Sequence, residues 1–244
     1  MVGADMRLKF VILAIFVTVL LVVTMPLRLA LSLVQADRWF YAARVDGTIW
    51  NGVLHAGHLG RLSLGDARLA LNVPALLSGR VGFGFSAAGA LKGSGIAVLS
   101  GNGHALRANA LRFPISALSP SLPLEGEMRL SGIDVAFRDG ACHAAQGSVM
   151  VKKVRLSHGS MLLAPDFQLR GALGCAGGDV IMRLAGRSGD IALRSVIRIS
   201  ATGAYRMENR IQGTGQCGDA MAAEAGFQRE VDGYARVDRG NLAL

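Results

Sequence analysis

The sequence contains few of the residues from which catalytic and metal sites are built. It has three Cys, five His and two Trp in 244 residues, and only 6% of its residues are aromatic. No Cys-x-x-Cys pair, Gly-x-Ser-x-Gly turn or complete phosphate loop occurs, which excludes the common zinc, hydrolase and nucleotide motifs. His55 and His58 lie three positions apart without an accompanying Glu, and on a strand they point to opposite faces. We therefore predict no catalytic, cofactor-binding or metal-binding residues, and a protein that is not an enzyme.

Only one long apolar run occurs, and it lies at the N-terminus. Residues 10–27 carry no charged side chain, and a helix of this length spans about 27 Å, close to the hydrocarbon thickness of a bilayer. Arg7 and Lys9 precede the run, which predicts a cytoplasmic N-terminus and places the rest of the chain outside the cytoplasm. The tripeptide 34–36 resembles a small-x-small cleavage site, so a cleaved signal peptide is the alternative. We predict that residues 1–36 form a cytoplasmic tip, an uncleaved single-pass transmembrane anchor and a linker.

The rest of the chain is basic, and its cations are almost all arginine. From residue 37 onward 23 Lys or Arg stand against 16 Asp or Glu, a net charge of +7, and only three of these cations are lysines. Arginine suits bidentate contacts with carboxylates, phosphates or lipid headgroups. Because these arginines are spread along the sequence, we interpret most of them as strand residues on a solvated face of a sheet. No nucleic-acid-binding motif is present, so we predict no nucleic-acid partner.

Short apolar runs separated by glycine indicate a β-sheet over residues 37–244, which we treat as one domain. The 32 glycines suit many turns. The apolar phase slips by one position across 65–66 and across 131–132, which predicts a bulge or bend at each place. Residues 112–126 predict a long crossing connection with a short helical turn, and residues 219–228 predict a short helix. The predicted fold is mainly β: a single N-terminal transmembrane helix, then a curled, Gly-punctuated antiparallel sheet domain with one short C-terminal helix.

Two of the three cysteines can form a disulfide in an oxidising compartment. Cys142 and Cys175 each follow a Gly-containing turn and lead into an apolar strand, and these similar positions predict a Cys142–Cys175 bond. Cys217 would then be free or would pair between chains. The alternative is that all three cysteines stay reduced.

One of the two tryptophans lies between two glycines soon after the N-terminal segment. Gly47 and Gly52 permit tight turns or a close backbone approach, and Trp50 belongs to the first strand unit of the predicted domain. We predict that these three residues form a structural signature. In this hypothesis Trp50 covers the membrane-proximal end of the sheet and fixes the angle between anchor and domain; the alternative is an ordinary core tryptophan.

Several stretches of the sequence together resemble one protein family. An N-terminal anchor, a short spacer and then GTIWNG (47–52) resemble the Gly-Thr-(Val/Leu)-Trp-x-Gly signature of type II secretion system protein N. The resemblance extends over most of the chain, through LALNVPALLSGRVG (69–82), LPLEGEMRLSGIDV (122–135), HAAQGSVMVKKVRL (143–156) and EAGFQREVDGYARVDRGNL (224–242).

The resemblance implies a subunit of the apparatus that moves folded periplasmic proteins across the outer membrane. It implies a single-pass protein of the cell inner membrane with its bulk in the periplasm. Its partners would be other secretion subunits in the inner membrane or periplasm, together with the lipid bilayer. The alternative is an AsmA-like membrane-anchored protein that handles lipid in a β-groove. An open apolar groove would favour that alternative, whereas a closed core would favour a scaffold.

Overall fold

Two helices separated by a proline precede the first strand. Helix α1 spans Val2–Thr24 and helix α2 spans Leu27–Leu33. Pro26 lies between them, because proline donates no backbone hydrogen bond and disfavours a helical residue before it. The computed structural model describes residues 2–33, 40–59, 62–117, 124–156, 167–189, 191–213, 219, 222 and 226–241.

The described helices do not support one part of the predicted fold. Among the described residues, none of the helices has both the length and the apolar character needed to span a membrane. The described helices therefore do not support the single transmembrane helix that was predicted from the sequence.

Fifteen strands form a single sheet in the described part of the chain. The strands are β1 Phe40–Tyr41, β2 Arg44–Thr48, β3 Asn51–Leu59, β4 Leu62–Leu71, β5 Val81–Ala88, β6 Lys92–Ser100, β7 Gly103–Pro114, β8 Leu124–Arg138, β9 Ala141–Leu156, β10 Phe167–Ala176, β11 Asp179–Ser188, β12 Ile191–Ile199, β13 Ala204–Gln212, β14 Gln228–Glu230 and β15 Gly233–Asn241. A third helix, α3, spans Val73–Leu77 between β4 and β5, and a 3-10 turn at Ile115–Ala117 follows β7.

The strands follow one another across the sheet almost in sequence order. The order is β1-β3-β4-β5-β6-β7-β8-β9-β10-β11-β12-β13-β15-β14, with β2 also paired to β3, and the pairings are antiparallel. The predicted mainly β, antiparallel architecture is confirmed. The junction between α1 and α2 contacts one end of the sheet, which we call the helix end. This end carries α3 and the β2–β3, β6–β7, β8–β9, β10–β11 and β12–β13 turns. We call the opposite end the far end.

Both predicted phase slips correspond to irregular strand pairing. The register between β8 and β9 shifts beside Gly132, and the register between β3 and β4 shifts opposite Gly65. Both glycines have φ of +62°, a conformation that other residues rarely adopt. The slip at Gly132 lets Met128 and Ile133, which are an odd number of positions apart, both be buried. The two predicted bends are confirmed.

One face of the sheet supplies most of a single hydrophobic core. Because a single sheet can bury one face without a second layer only by curving onto itself, this packing agrees with a curled sheet. We call the packed side the inner face and the other side the outer face. The core contains Leu27, Leu54, Ala67, Ala87, Leu91, Ala108, Leu111, Phe113, Ile115, Met128, Ile133, Val149, Val151, Leu169, Met182, Leu184, Leu193, Ile197, Met207, Ile211, Ala222 and Phe227.

Three local features differ from the sequence-based expectation. Leu27, the last residue of the apolar run, is completely buried in the core of the sheet. Residues 112–126 do not form a crossing connection, since they join β7 and β8, which pair directly; the predicted helical turn is present at Ile115–Ala117. Helix α3 was not predicted, because its VPALL sequence is shorter than the window over which a helical period can be detected.

The predicted C-terminal helix over 219–228 lies mostly outside the described residues. Asp219 and Ala222 are described and helical, and Ala222 is completely buried. The backbone N–H of Phe227 donates to the carbonyl of Ala222 at 2.8 Å, and β14 begins at the next residue.

Candidate functional site

The histidines considered as metal ligands have other partners. His55 lies 3.4 Å from Asp46 and 3.5 Å from Asp66, whereas the Nδ1 atom of His58 lies 3.0 Å from the backbone oxygen of Ala56. Within the described ranges, no three His, Cys, Asp or Glu side chains are arranged to hold a metal ion.

The two glycines of the predicted signature allow a tight hairpin. Gly47 and Gly52 are paired across β2 and β3, and the strands are joined by a two-residue turn. Gly47 has φ of +86°, and an added Cβ would overlap the carbonyl oxygen of Asn51. Gly52 is buried, and an added Cβ there would overlap the side chain of Leu27 from α2. Glycine at each position therefore allows a close approach, once by the partner strand and once by a helix.

The turn of this hairpin contacts the C-terminal end of α1. The backbone N–H of Ile49 donates to the carbonyl of Met25 at 3.1 Å, and the indole Nε1–H of Trp50 donates to the carbonyl of Val22 at 3.2 Å. The last four carbonyls of a helix lack their usual i+4 partners, and the carbonyl of Val22 accepts from Trp50 in addition to the backbone N–H of Met25 at 3.4 Å. Trp50 is partly exposed and lies outside the buried core. We call these contacts, together with the packing of Leu27 on Gly52, the helix–hairpin junction.

The structure contains a disulfide between Cys142 and Cys175, with Cα atoms 5.6 Å apart. The reason for predicting it was partly wrong. Cys142 lies at the start of β9, but Cys175 lies at the end of β10, before the turn rather than after it. Neighbouring antiparallel strands bring the start of one beside the end of the other, which is why the pair meets. Cys217 lies outside the described residues.

A row of basic side chains crosses the outer face near the far end, and the sequence analysis missed it. Directly paired positions from β6 to β13 carry Lys92, Arg112, Arg129, Met150, Arg170, Ala185, Arg194 and Arg210. We call these eight residues the cationic row. Side chains at directly paired positions project from the same face of a sheet. Six of the eight are cations and none is an acid, although their wide spacing in the sequence conceals the alignment.

Most cations of the row have no counter-ion among the residues that the structure describes. Glu127 pairs with Arg129 on β8, and Glu208 pairs with Arg206 on β13 at 2.9 Å. In the part of the chain that the structure describes, the five other cations of the row form no ion pair. Arg112 directly faces Arg129 across the strands, and like charges in this arrangement destabilise a sheet.

A shallow cavity of about 360 Å³ lies over the middle of the cationic row. Its lining combines four cations and two hydroxyls with five apolar side chains. Ser131 and Ser148 are directly paired and exposed, so their hydroxyls are available beside the guanidinium groups. The cavity is lined by Ala110, Leu111, Arg112, Arg129, Leu130, Ser131, Ser148, Val149, Met150, Lys152, Arg170 and Gly171. The four cations and two hydroxyls suit an anionic group.

A polar cluster interrupts the inner face near the C-terminal strands. The Nη2 atom of Arg236 lies 2.9 Å from Oδ1 of Asp238, and the two side chains are only 18% and 10% exposed. Asn209, which is 2% exposed, is directly paired with Arg236, and its Nδ2 atom has no hydrogen-bond partner within the described chain. Because burying a charge is costly, the ion pair between Arg236 and Asp238 offsets part of that cost.

A side-chain hydrogen bond links β15 to Asp219, which lies before β14 in the sequence. The hydroxyl of Tyr234 donates to Oδ1 of Asp219 at 2.6 Å. This hydrogen bond, together with desolvation and the negative charge of Asp219, raises the pKa of Tyr234 above its usual value of 10.0. The phenol therefore keeps its proton to higher pH than a free tyrosine.

These features define a single-sheet antiparallel β protein whose N-terminal helical segment is bound to its first hairpin. The family described as type II secretion system (T2SS), protein N, matches residues 41–233, which is more than half of the chain. The chain belongs to this family, as the resemblance implied. No curated protein matches the chain, and no solved structure does. Membership makes it an envelope-associated component of the type II secretion apparatus, which works with other secretion subunits.

Proposed function

We propose that the protein is a non-catalytic scaffold of the type II secretion apparatus, with α1 in the inner membrane and the sheet in the periplasm. The helix–hairpin junction carries the proposal, because it joins the end of an apolar helix to a packed β domain through Ile49, Trp50 and Gly52. A fixed joint of this kind suits a subunit that holds its partners at a set position above a membrane.

The surface of α1 supports the membrane anchor. Twelve large apolar side chains between Phe10 and Val23 are each 45–65% exposed. Such a helix surface is unfavourable in water and favourable in lipid.

The neighbouring helix α3 supports contact with the same bilayer. The backbone N–H of Leu71 donates to the carbonyl of Ile49 at 2.8 Å, so α3 begins beside the turn that contacts α1. Val73 is 47% exposed and Leu77 is 86% exposed at this end of the sheet. A bilayer around α1 would therefore lie next to an apolar surface of the domain.

Reporter fusions test the proposed topology. A periplasm-active reporter placed after Leu244 should be active, and the same reporter at the N-terminus should be inactive. The opposite pattern would contradict the proposal. If the isolated chain instead began at Asp37, the anchor would be wrong while the periplasmic location would still hold.

The packing of the sheet supports a scaffold over the lipid-groove alternative. The apolar side chains of the inner face pack against one another in one core, whereas the cavity over the cationic row lies on the outer face and mixes charged and polar groups with apolar ones. An acyl chain needs a continuous apolar surface, and the core residues would have to separate to provide one.

Isolation from native membranes separates these two functions. Crosslinking of the full-length protein in its own membrane should recover other type II secretion subunits, and the purified protein should carry no stoichiometric lipid by mass spectrometry. Stoichiometric lipid without secretion subunits would favour the lipid-handling alternative and overturn the scaffold.

A further inference from the structure

We propose that the cationic row is the docking surface for an extended acidic segment of a protein partner. The proposal deepens the scaffold function and rests on it for the class of partner. It gives that partner a chemistry, a place on the sheet and an approximate length.

The first argument is that the described part of the chain places like charges side by side in the row. Lys92, Arg112 and Arg129 occupy directly paired positions on three consecutive strands, and Arg194 faces Arg210. Like charges at such positions repel each other, whereas sheets are normally stabilised by opposite charges there. An external anion would remove this repulsion.

The second argument is that nearby acids neutralise only Arg129 among the cations of the row, within the described part of the chain. Glu208 lies next to the row on β13, but its carboxylate pairs with Arg206. Glu127 pairs with Arg129, which leaves Arg112 and Arg170 beside the cavity without an ion pair among the described residues. The charge that remains is therefore available to a partner.

The third argument concerns the shape of the ligand. Neighbouring strands lie about 4.8 Å apart, so a row from β6 to β13 extends over roughly 34 Å along the surface. An extended peptide places side chains of one face about 7 Å apart, so a segment of about ten residues with acids at alternate positions matches this length. Guanidinium groups bind carboxylates through two parallel hydrogen bonds, and the hydroxyls of Ser131 and Ser148 add further donors.

The position of the row favours a protein over the bilayer that would hold α1. Along β6, Lys92 lies at the far end, and the strand runs eight residues further to Ser100 at the helix end. At about 3.4 Å per residue this separation is roughly 27 Å for Lys92, and it is about 17 Å for Arg194, which lies five residues before Ile199. The row therefore lies away from the headgroups that would surround α1, where a periplasmic partner can reach it.

Binding by the full-length protein in detergent tests the inference directly. The probe is a fluorescent peptide of alternating Glu and Ser, twelve residues long, compared with the same peptide carrying Gln for Glu. The row variant is Arg170→Gln, Arg194→Gln and Arg210→Gln, and the control variant is Arg68→Gln, Arg80→Gln and Arg138→Gln. Both variants remove three exposed cations, but only the first removes them from the row. Thermal unfolding of each variant verifies that it is folded.

We expect the row variant to bind the acidic peptide about tenfold more weakly than the original protein, since three exposed ion pairs of modest strength are lost. The control variant should bind within about twofold, and the Gln peptide should not bind. Equal weakening in both variants would show that net charge alone attracts the peptide and would overturn the proposal. Row-dependent binding to vesicles of one part phosphatidylglycerol to three parts phosphatidylcholine, without binding to the peptide, would assign the surface to lipid instead.

Photocrosslinking in cells tests the partner without assuming its identity. A crosslinking residue replaces Met150 or Ala185, the two uncharged members of the row. The recovered peptide should be net acidic, and its yield should fall in the row variant but not in the control variant. A neutral or basic crosslinked peptide would refute the inference, whereas crosslinks to secretion subunits through other faces would leave the scaffold function intact.

Discussion

Substitution of Gly52 by Ala tests whether the helix–hairpin junction holds the N-terminal segment against the sheet. Gly52 is buried, and a Cβ at this position would overlap the side chain of Leu27, which has no exposed surface. Overpacking of this kind costs about 1–3 kcal/mol. Removal of the leucine side chain in Leu27→Ala costs about 2–5 kcal/mol, because it leaves a cavity in the core. Each change is a large fraction of a typical unfolding free energy of about 5–15 kcal/mol.

The two substitutions should not be additive. Leu27→Ala removes the side-chain atoms that the new Cβ at Gly52 would overlap and leaves the carbonyl oxygen of Thr48 at 3.1 Å, so the double variant should be nearly as stable as Leu27→Ala alone. The control is Gly47→Ala in the same hairpin. Its added Cβ would overlap the backbone oxygen of Asn51 and its φ would remain positive, so Leu27→Ala cannot relieve it. The cost of Gly47→Ala should therefore be the same in both backgrounds.

Urea unfolding of the full-length protein in detergent, followed by pulse proteolysis, measures all six forms. A coupling free energy of about 1–3 kcal/mol is expected for the Gly52–Leu27 pair, and a value near zero is expected for the Gly47–Leu27 pair. If Gly52→Ala leaves stability unchanged, or if its cost adds fully to that of Leu27→Ala, then α2 does not pack on this hairpin and the junction has been interpreted wrongly.

Three further predictions follow from other contacts. Asp238→Ala should lower the unfolding free energy by about 3–5 kcal/mol, because it removes the carboxylate that binds the largely buried guanidinium of Arg236. Arg206→Ala at a more exposed pair should cost less than about 1 kcal/mol. Similar urea midpoints for the two variants would argue against a stabilising buried pair. The pKa of Tyr234 is raised in the folded protein, so its contribution to stability is complete below the usual pKa of 10.0 and is lost as pH rises through the higher folded value. Ultraviolet titration should show one tyrosine ionising late, and Tyr234→Phe should abolish that late step; its persistence would assign it to another tyrosine. The Cys142–Cys175 bond closes a loop with a sequence separation of 33, so its reduction should destabilise the domain by about 3–4 kcal/mol from loop-closure entropy. A non-reducing peptide map should contain the linked pair, and its absence would contradict the disulfide.

The local features of the fold were readable from the sequence because they depend on neighbouring residues. Glycine spacing and apolar alternation predicted an antiparallel sheet, and the slips in phase predicted the bends beside Gly65 and Gly132. A one-residue slip reverses the direction of every following side chain, so it leaves a visible mark in the apolar pattern. The family resemblance was readable for a similar reason, since its motifs are short and continuous.

The disulfide pair was predicted correctly from the sequence, but for a partly wrong reason. Cys142 and Cys175 were matched as two strand starts, but two starts on adjacent antiparallel strands would lie at opposite ends of the sheet. The two cysteines meet because β10 ends just after Cys175. Strand ends depend on backbone pairing, which a Gly-rich sequence does not specify.

By itself, the sequence determined the class of fold, the apolar N-terminal segment and the family, and it predicted that Gly47, Trp50 and Gly52 act as a unit. Only the tertiary structure decided what these glycines accommodate, because the approach of Leu27 to Gly52 depends on how α2 returns to the sheet. It also decided that the arginines align. Arg112 and Arg210 are 98 positions apart, and they share one row only because the pairing register of every strand between them puts them there. Register is a collective result of turns, bulges and core packing, and for this reason the charge pattern of the outer face was invisible until the sheet was assembled.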